Sequence, residues 1–186
     1  MAIATFEKNP DNTSYDGEDQ DEKILYVQRA SLLTTLPWIF ASFVFLILPF
    51  AADPFLRSFQ YNGEKVVSYS FLAILTLFWY LFTFGFFFHN FASWYFNVYI
   101  ITTKKIIDMD FYGLTYKNIS ETTLDNIEDV TSQVKGTLGT IFNYGDVYVQ
   151  TAGEKREFDF VAIDDPGRTR DIISDLAATA KRYGNN

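Results

Sequence analysis

The sequence predicts a membrane α-helical hairpin of two transmembrane helices, joined to a small antiparallel β-barrel that a C-terminal α-helix caps. Three observations carry this. Two long charge-free runs, residues 32–52 and 66–103, fill the middle of the chain. Beyond them hydrophobicity alternates with period two in several short segments. From Asp165 onward the spacing becomes helical.

The 186 residues include 20 Phe, 12 Tyr and 3 Trp, with apolar residues crowded centrally and charges toward both ends. A formal charge of −8 argues against nucleic acid, which demands a surplus of Lys and Arg. The acidity is distributed along the chain, so it conceals no strongly basic module. Cysteine is absent, which removes disulfides, thiolate nucleophiles and thiolate metal sites. His89 is the one histidine, so a multi-histidine metal site within one chain is excluded. No metal and no cofactor are expected.

Residues 1–21 are polar and acidic and read as a disordered tail. They lack the basic start and apolar run of a cleaved signal. Residues 22–31 hold a compact alternating stretch, EKILYVQR, that reads either as a strand joining the soluble part or as a juxtamembrane turn. The segment 32–52 covers about 32 Å at the helical rise, against a hydrocarbon core of about 30 Å. Pro37 falls in its first turn, where a missing N–H does least harm, while Pro49 and Pro54 mark its far end.

Residues 53–67 form a short loop with a Tyr-Asn-Gly turn. The second helix, about 68–92, cannot use all of its charge-free run, which would span about 57 Å. The change comes where ASWYFNVYIITT turns to Tyr, Ile, Val and Thr. Trp94, Tyr95 and Tyr99 fall at that handover, where amphipathic rings suit the headgroup level, and Lys104 and Lys105 follow. Lys23, Arg29, Lys104 and Lys105 on the terminal side, against Arg57 and Lys65 in the loop, favour cytoplasmic N- and C-termini.

Residues 94–186 make the soluble half. Tyr99, Ile101, Thr103, Ile107, Met109 and Phe111 share one parity, with a hairpin at Thr103-Lys104. Further strands are ISETTL, IEDVTSQV, DVYVQTAG and KREFDFVAI, separated by short polar or Gly-bearing gaps. The turn Asn143-Tyr144-Gly145-Asp146 opens one of them, and Gly145 is read as supplying a positive φ. Asp165-Pro166 then caps a helix whose stripe is Ile172, Ile173, Leu176, Ala177, Ala180 and Tyr183. Strands followed by one amphipathic terminal helix is a pleckstrin-homology-like (PH-like) layout.

Three blocks sharpen this. They are Tyr99-Ile100-Ile101-Thr102-Thr103-Lys104-Lys105-Ile106-Ile107, then Leu124-Asp125-Asn126-Ile127-Glu128-Asp129-Val130, then Gly136-Thr137-Leu138 through Phe142-Asn143-Tyr144-Gly145-Asp146-Val147 to Gln150-Thr151-Ala152-Gly153. On these the C-terminal half resembles the bacterial PH domain membrane proteins of the YdbS and YdbT type, formerly a domain of unknown function. The resemblance implies a PH-like domain carried by a pair of membrane helices. It departs before the first helix, where Arg29 is followed by Ala30 and Ser31 rather than by an Arg-Pro-His-like element.

The functional expectation is a non-catalytic module. Asp108 and Asp110 share a strand face, and Glu128 and Asp129 adjoin, but none has a histidine partner or a phosphate loop. Solvated faces and turns account for them. His89 is the intramembrane polar candidate, placed to reach the headgroups. Lys104, Lys105 and Lys117 are few for a multi-phosphate headgroup and are interleaved with acids. The reading is therefore a plasma-membrane, multi-pass binding or scaffold module. Its partners would be the lipid bilayer, a membrane or cytoplasmic protein, or its own copies. The alternatives are an oligomeric transport or channel subunit, or a weak anionic-lipid binder.

Overall fold

A computed structural model describes residues 5–10, 15, 17, 19, 21–58, 60, 61, 64, 65, 68–112, 116–152 and 157–184. The chain divides into two units. One comprises residues 1–34 and 93–186, the other residues 35–92.

The elements in order are β1 (Phe6–Lys8), β2 (Ile24–Gln28), a 3-10 turn (Leu32–Thr35), α1 (Leu36–Arg57), β3 (Gln60–Tyr61), β4 (Glu64–Lys65) and α2 (Tyr69–Phe96). Then come β5 (Val98–Thr102), β6 (Lys105–Tyr112), β7 (Tyr116–Thr123), a 3-10 turn (Leu124–Asn126), β8 (Ile127–Gln133), α3 (Gly136–Phe142), β9 (Tyr144–Thr151), β10 (Glu157–Asp164) and α4 (Pro166–Gly184).

The helical unit departs from expectation at its ends. Pro49 and Pro54 lie inside α1, which runs on to Arg57 instead of stopping at Ala52. A proline within a helix strips the carbonyl four residues earlier of its N–H partner. Pro49 does this to Phe45, and the indole Nε1–H of Trp79 donates to that carbonyl at 2.7 Å. Phe45 also meets Trp79 and Phe86 edge-on at 5.8 and 5.4 Å. Ser42 and Thr83, both buried, return their hydroxyls to carbonyls one turn back, Trp38 and Trp79. Arg57 pairs with Asp53 at 2.8 Å and lies over the Tyr69 ring. β3 pairs with β4, and the Asn62-Gly63 part of the expected turn lies outside the described residues. The apolar stretches, 26 and 28 residues long, suffice to cross a membrane. Only 6% and 11% of their apolar windows is buried, whereas a soluble core helix is mostly buried.

In the other unit β1-β2-β5-β6-β7 form a five-stranded antiparallel sheet and β10-β9-β8 a three-stranded one. The expected barrel is not closed. The sheets remain separate, bridged among the described residues at one isolated pair, Ala30 with Ile163, beside a Ser31 N–H to Ala162 carbonyl bond of 2.7 Å. Their facing sides enclose Tyr99, Ile101, Ile106, Leu124, Ile127, Val147, Val149, Phe158, Phe160 and Ile163, with Ile173 and Ala177 of α4 closing the cluster. Thr169 joins the buried stripe of α4, whereas Tyr183, expected on it, is 79% exposed.

The parity expected for β5 and β6 breaks at the Thr103-Lys104 turn. Tyr99 lies opposite Asp108 and Ile101 opposite Ile106, so these four share the inner face. Ile107 and Met109 instead join Val98 and Ile100 in a second cluster on the outer face, with Ile24, Val27 and Tyr15. Every residue of β5 is consequently buried. That also corrects the reading of residues 1–21 as wholly disordered: Phe6–Lys8 adds an edge strand and Tyr15 packs on the outer cluster. Of the two readings of residues 22–31, the strand is the one formed. β2 lies between β1 and β5, and its Gln28 accepts from the Thr169 hydroxyl and donates to the Asp164 carbonyl, both at 2.9 Å.

Candidate functional site

Three constellations in the sheet unit carry polar chemistry. The first surrounds the β5–β6 turn. Thr102 Oγ1 donates to Glu22 at 2.5 Å and accepts from the Lys104 and Lys105 N–H groups, which fixes the turn. Lys105 reaches Glu121 at 3.3 Å and Glu22 at 3.7 Å. Burial pulls its ammonium down, but Glu121 and Glu22 more than offset this and hold it above its ordinary value. Lys104 stays largely exposed, 4.0 Å from Asp19. Asp19, both lysines, Glu121, Thr122, Thr123 and Asn126 line a polar hollow of about 340 Å³. Cation and acid alternate around it, so it offers no surplus of positive charge to a multi-phosphate headgroup.

The second is the Asn143–Asp146 turn. Asn143, at φ +52°, is the left-handed residue that ends α3, a conformation Asn tolerates better than most. Its carbonyl accepts from the Asp165 N–H at 2.9 Å, and its Nδ2–H donates to the Asp165 carboxylate. Gly145 does not have the positive φ expected of it. It is glycine because a Cβ there would overlap the Gln133 carbonyl oxygen and come within 2.9 Å of Val134 Cα. Tyr144 opens β9, paired with Asp164.

Asp146 accepts from the Ala162 N–H at 2.8 Å, from Tyr148 at 3.1 Å and from Lys135 at 3.2 Å. Burial alone would raise its carboxyl, but the Ala162 N–H and Lys135 hold it below the ordinary value. Ala162 sits at φ +52° in a bulge of β10, and Asp146 secures it there. The turn thus ties α3, β9, β10 and the start of α4 together. Its work is structural.

The third is Asp108. Expected on a solvated face, it continues the inner face of β6 beyond Ile106, opposite Tyr99 and Ser120. One carboxylate oxygen, Oδ1, is buried without a hydrogen-bond partner among the described residues. Burial first, then Asp110 and Asp159, push it up to about 7. Beside it Tyr99 is only 6% exposed and stacks on Phe160 at 4.5 Å, its hydroxyl accepting from the Val161 N–H. Tyr99 is therefore a core residue rather than a headgroup-level ring, and burial raises its phenol.

The remaining predicted residues separate. Trp94 is buried in the sheet unit and donates to the Ala30 carbonyl at 2.9 Å. The Tyr95 carbonyl accepts from Nε of the buried Arg29, whose guanidinium also lies 5.2 Å from the Tyr95 ring. Trp94 and Tyr95 belong to the last turn of α2, which runs past the expected end near 92. His89 is exposed on α2. Sequence reasoning missed Arg29, Glu22 and Gln28 as interior groups, because polar side chains in a short stretch read as surface. No group of three or more His, Cys, Asp or Glu suited to a metal occurs among the described residues.

The two open-faced sheets, the helix closing their core and the corner at 124–126 set the comparison with known families. Residues 31–177 match the family model described as bacterial PH domain. The chain belongs to the bacterial PH domain family. The match begins at Ser31, so it takes in both apolar helices as well as strands β5–β10, more than the C-terminal half that the sequence blocks cover, and leaves out β1 and β2. No curated protein matches the chain. A PH-like domain suggests a binding module that does no chemistry of its own.

Proposed function

We propose that this bacterial PH protein is a membrane-anchored binding or scaffold module of the YdbS and YdbT kind. Its α1–α2 hairpin lies in the plasma membrane, and its sheet unit meets protein partners or further copies at the cytoplasmic face, without catalysis. The observation that supports this best is the exposed apolar surface of the hairpin. Phe40, Phe50, Leu77, Phe78, Leu81 and Phe84 are 65–73% exposed. Water penalises such a surface, while lipid or neighbouring helices accept it.

Two other readings have less behind them. A headgroup site would use Lys104 and Lys105, yet Lys105 is engaged by Glu22 and Glu121. A transport role would use His89, the one ionisable group expected at depth, and a single exposed imidazole per chain makes no relay.

The test is isolation of the full-length protein in polymer-excised native membrane, with particle mass measured through a dilution series. The reading expects a defined oligomer or a stoichiometric protein companion. Bare monomers at every dilution contradict it.

A further inference from the structure

Helix α3 is inside out for a soluble domain. Its one buried residue is Gly139, where an added Cβ would lie 3.0 Å from the Tyr144 carbonyl oxygen and 3.4 Å from Val134 Cγ1. The large side chains point the other way. Leu138, Ile141 and Phe142, at i, i+3 and i+4, form one stripe and are 61%, 67% and 53% exposed, with Val134 at 42%. Packing by a glycine holds the helix close to β9 and leaves the stripe no partner among the described residues.

We propose that this stripe is a second membrane contact, inserting into the headgroup–acyl boundary of the bilayer. The inference rests on the hairpin being the lipid anchor. Charge is compatible with lipid, and the membrane helices of the same chain favour it as the occupant. Residues 130–145 hold one lysine and no acid, in a chain with 23 acids, so the tip carries nothing that an anionic bilayer repels. Of the acids that flank this stretch, Asp146 is paired with Lys135 and accepts from the Ala162 N–H, while Glu128 and Asp129 lie toward the far end of β8, at least five residues before Val134. Leu, Ile and Phe on one helical face suit interfacial insertion. A tether in the same chain raises the effective concentration of the tip at the bilayer, so a few apolar side chains suffice.

The absence of cysteine permits single-site labels. Full-length Ile141→Cys, Thr179→Cys and Phe78→Cys are labelled with an environment-sensitive fluorophore. They are reconstituted into phosphatidylethanolamine–phosphatidylglycerol vesicles carrying a shallow nitroxide lipid, to read positions 141 and 179, or a mid-chain nitroxide lipid, to read position 78. The proposal expects lipid quenching at 141 several-fold above that at 179, lost when Leu138→Ser and Phe142→Ser are added. Lipid quenching at 78 together with a 141 label as water-exposed as that at 179 overturns it and leaves the anchor standing. Energy transfer between 141 labels that rises with protein density, without lipid quenching, overturns it in favour of a second copy. Absence of lipid quenching at 78 removes the anchor and this inference with it.

Discussion

Replacing Asp108 by Asn tests whether the inner face of β6 carries an uncompensated charge. An acid raised in the folded state binds protons more tightly there than in the unfolded chain. Between its two pKa values the native state holds more protons, so stability falls as pH rises. For Asp108 that interval runs from the ordinary 3.8 to about 7. Fully buried, the interval is equivalent to about 4 kcal/mol at 1.36 kcal/mol per pH unit. Solvent reaches part of this half-buried carboxylate and screens Asp110 and Asp159, which reduces the surviving penalty to about 1–2 kcal/mol.

Asp108→Asn is therefore expected to stabilise the sheet unit by about 1–2 kcal/mol at pH 8 and to have little effect below pH 4. The gain should appear mostly between pH 5 and 7. Thermal unfolding of the full-length protein in mild detergent, followed by near-ultraviolet circular dichroism across that range, gives the comparison. A destabilised variant at pH 8, or a gain independent of pH, refutes the reasoning.

Gly145→Ala should destabilise by at least about 2 kcal/mol, because backbone rather than a movable side chain blocks the Cβ. Asn143→Gly should be near neutral, since glycine adopts φ +52° freely; both are read by the same unfolding assay. Ala162→Gly should stabilise by up to about 1 kcal/mol, while Asp146→Ala should cost about 1–3 kcal/mol by stranding the Ala162 N–H. In the hairpin, Trp79→Phe should cost about 1 kcal/mol by leaving the Phe45 carbonyl unbonded. In a Pro49→Leu background, which restores the N–H of residue 49, the same change should cost less, as a double-mutant cycle measures.

Several features were legible in the sequence because they depend on neighbours along the chain. The Thr103-Lys104 hairpin, the Asp165-Pro166 helix start and the two apolar helices are of this kind. Features set by distant partners were not. Gly145 stood out, but its reason is Gln133 and Val134 on the adjoining strand, which no local pattern reveals. Asp108 looked solvated because parity was carried through the turn without inversion. Pro49 read as a helix end because its compensation comes from Trp79, thirty residues onward. Helix α3 was hidden by two glycines and two threonines in seven residues, although its 138/141/142 stripe was visible. The edge strand β1 lay in a polar tail whose two aromatic residues are Phe6 and Tyr15.

The most direct test of the proposed architecture is sidedness of labelling in oriented membranes. Single cysteines at Ser58, Leu77 and Thr179 are offered a membrane-impermeant thiol reagent, first outside intact cells and then after lysis. The account predicts that Ser58 reacts from outside, Thr179 only after lysis, and Leu77 in neither case. Ser58 and Thr179 reacting from the same side, or Leu77 reacting as freely as either, would contradict it.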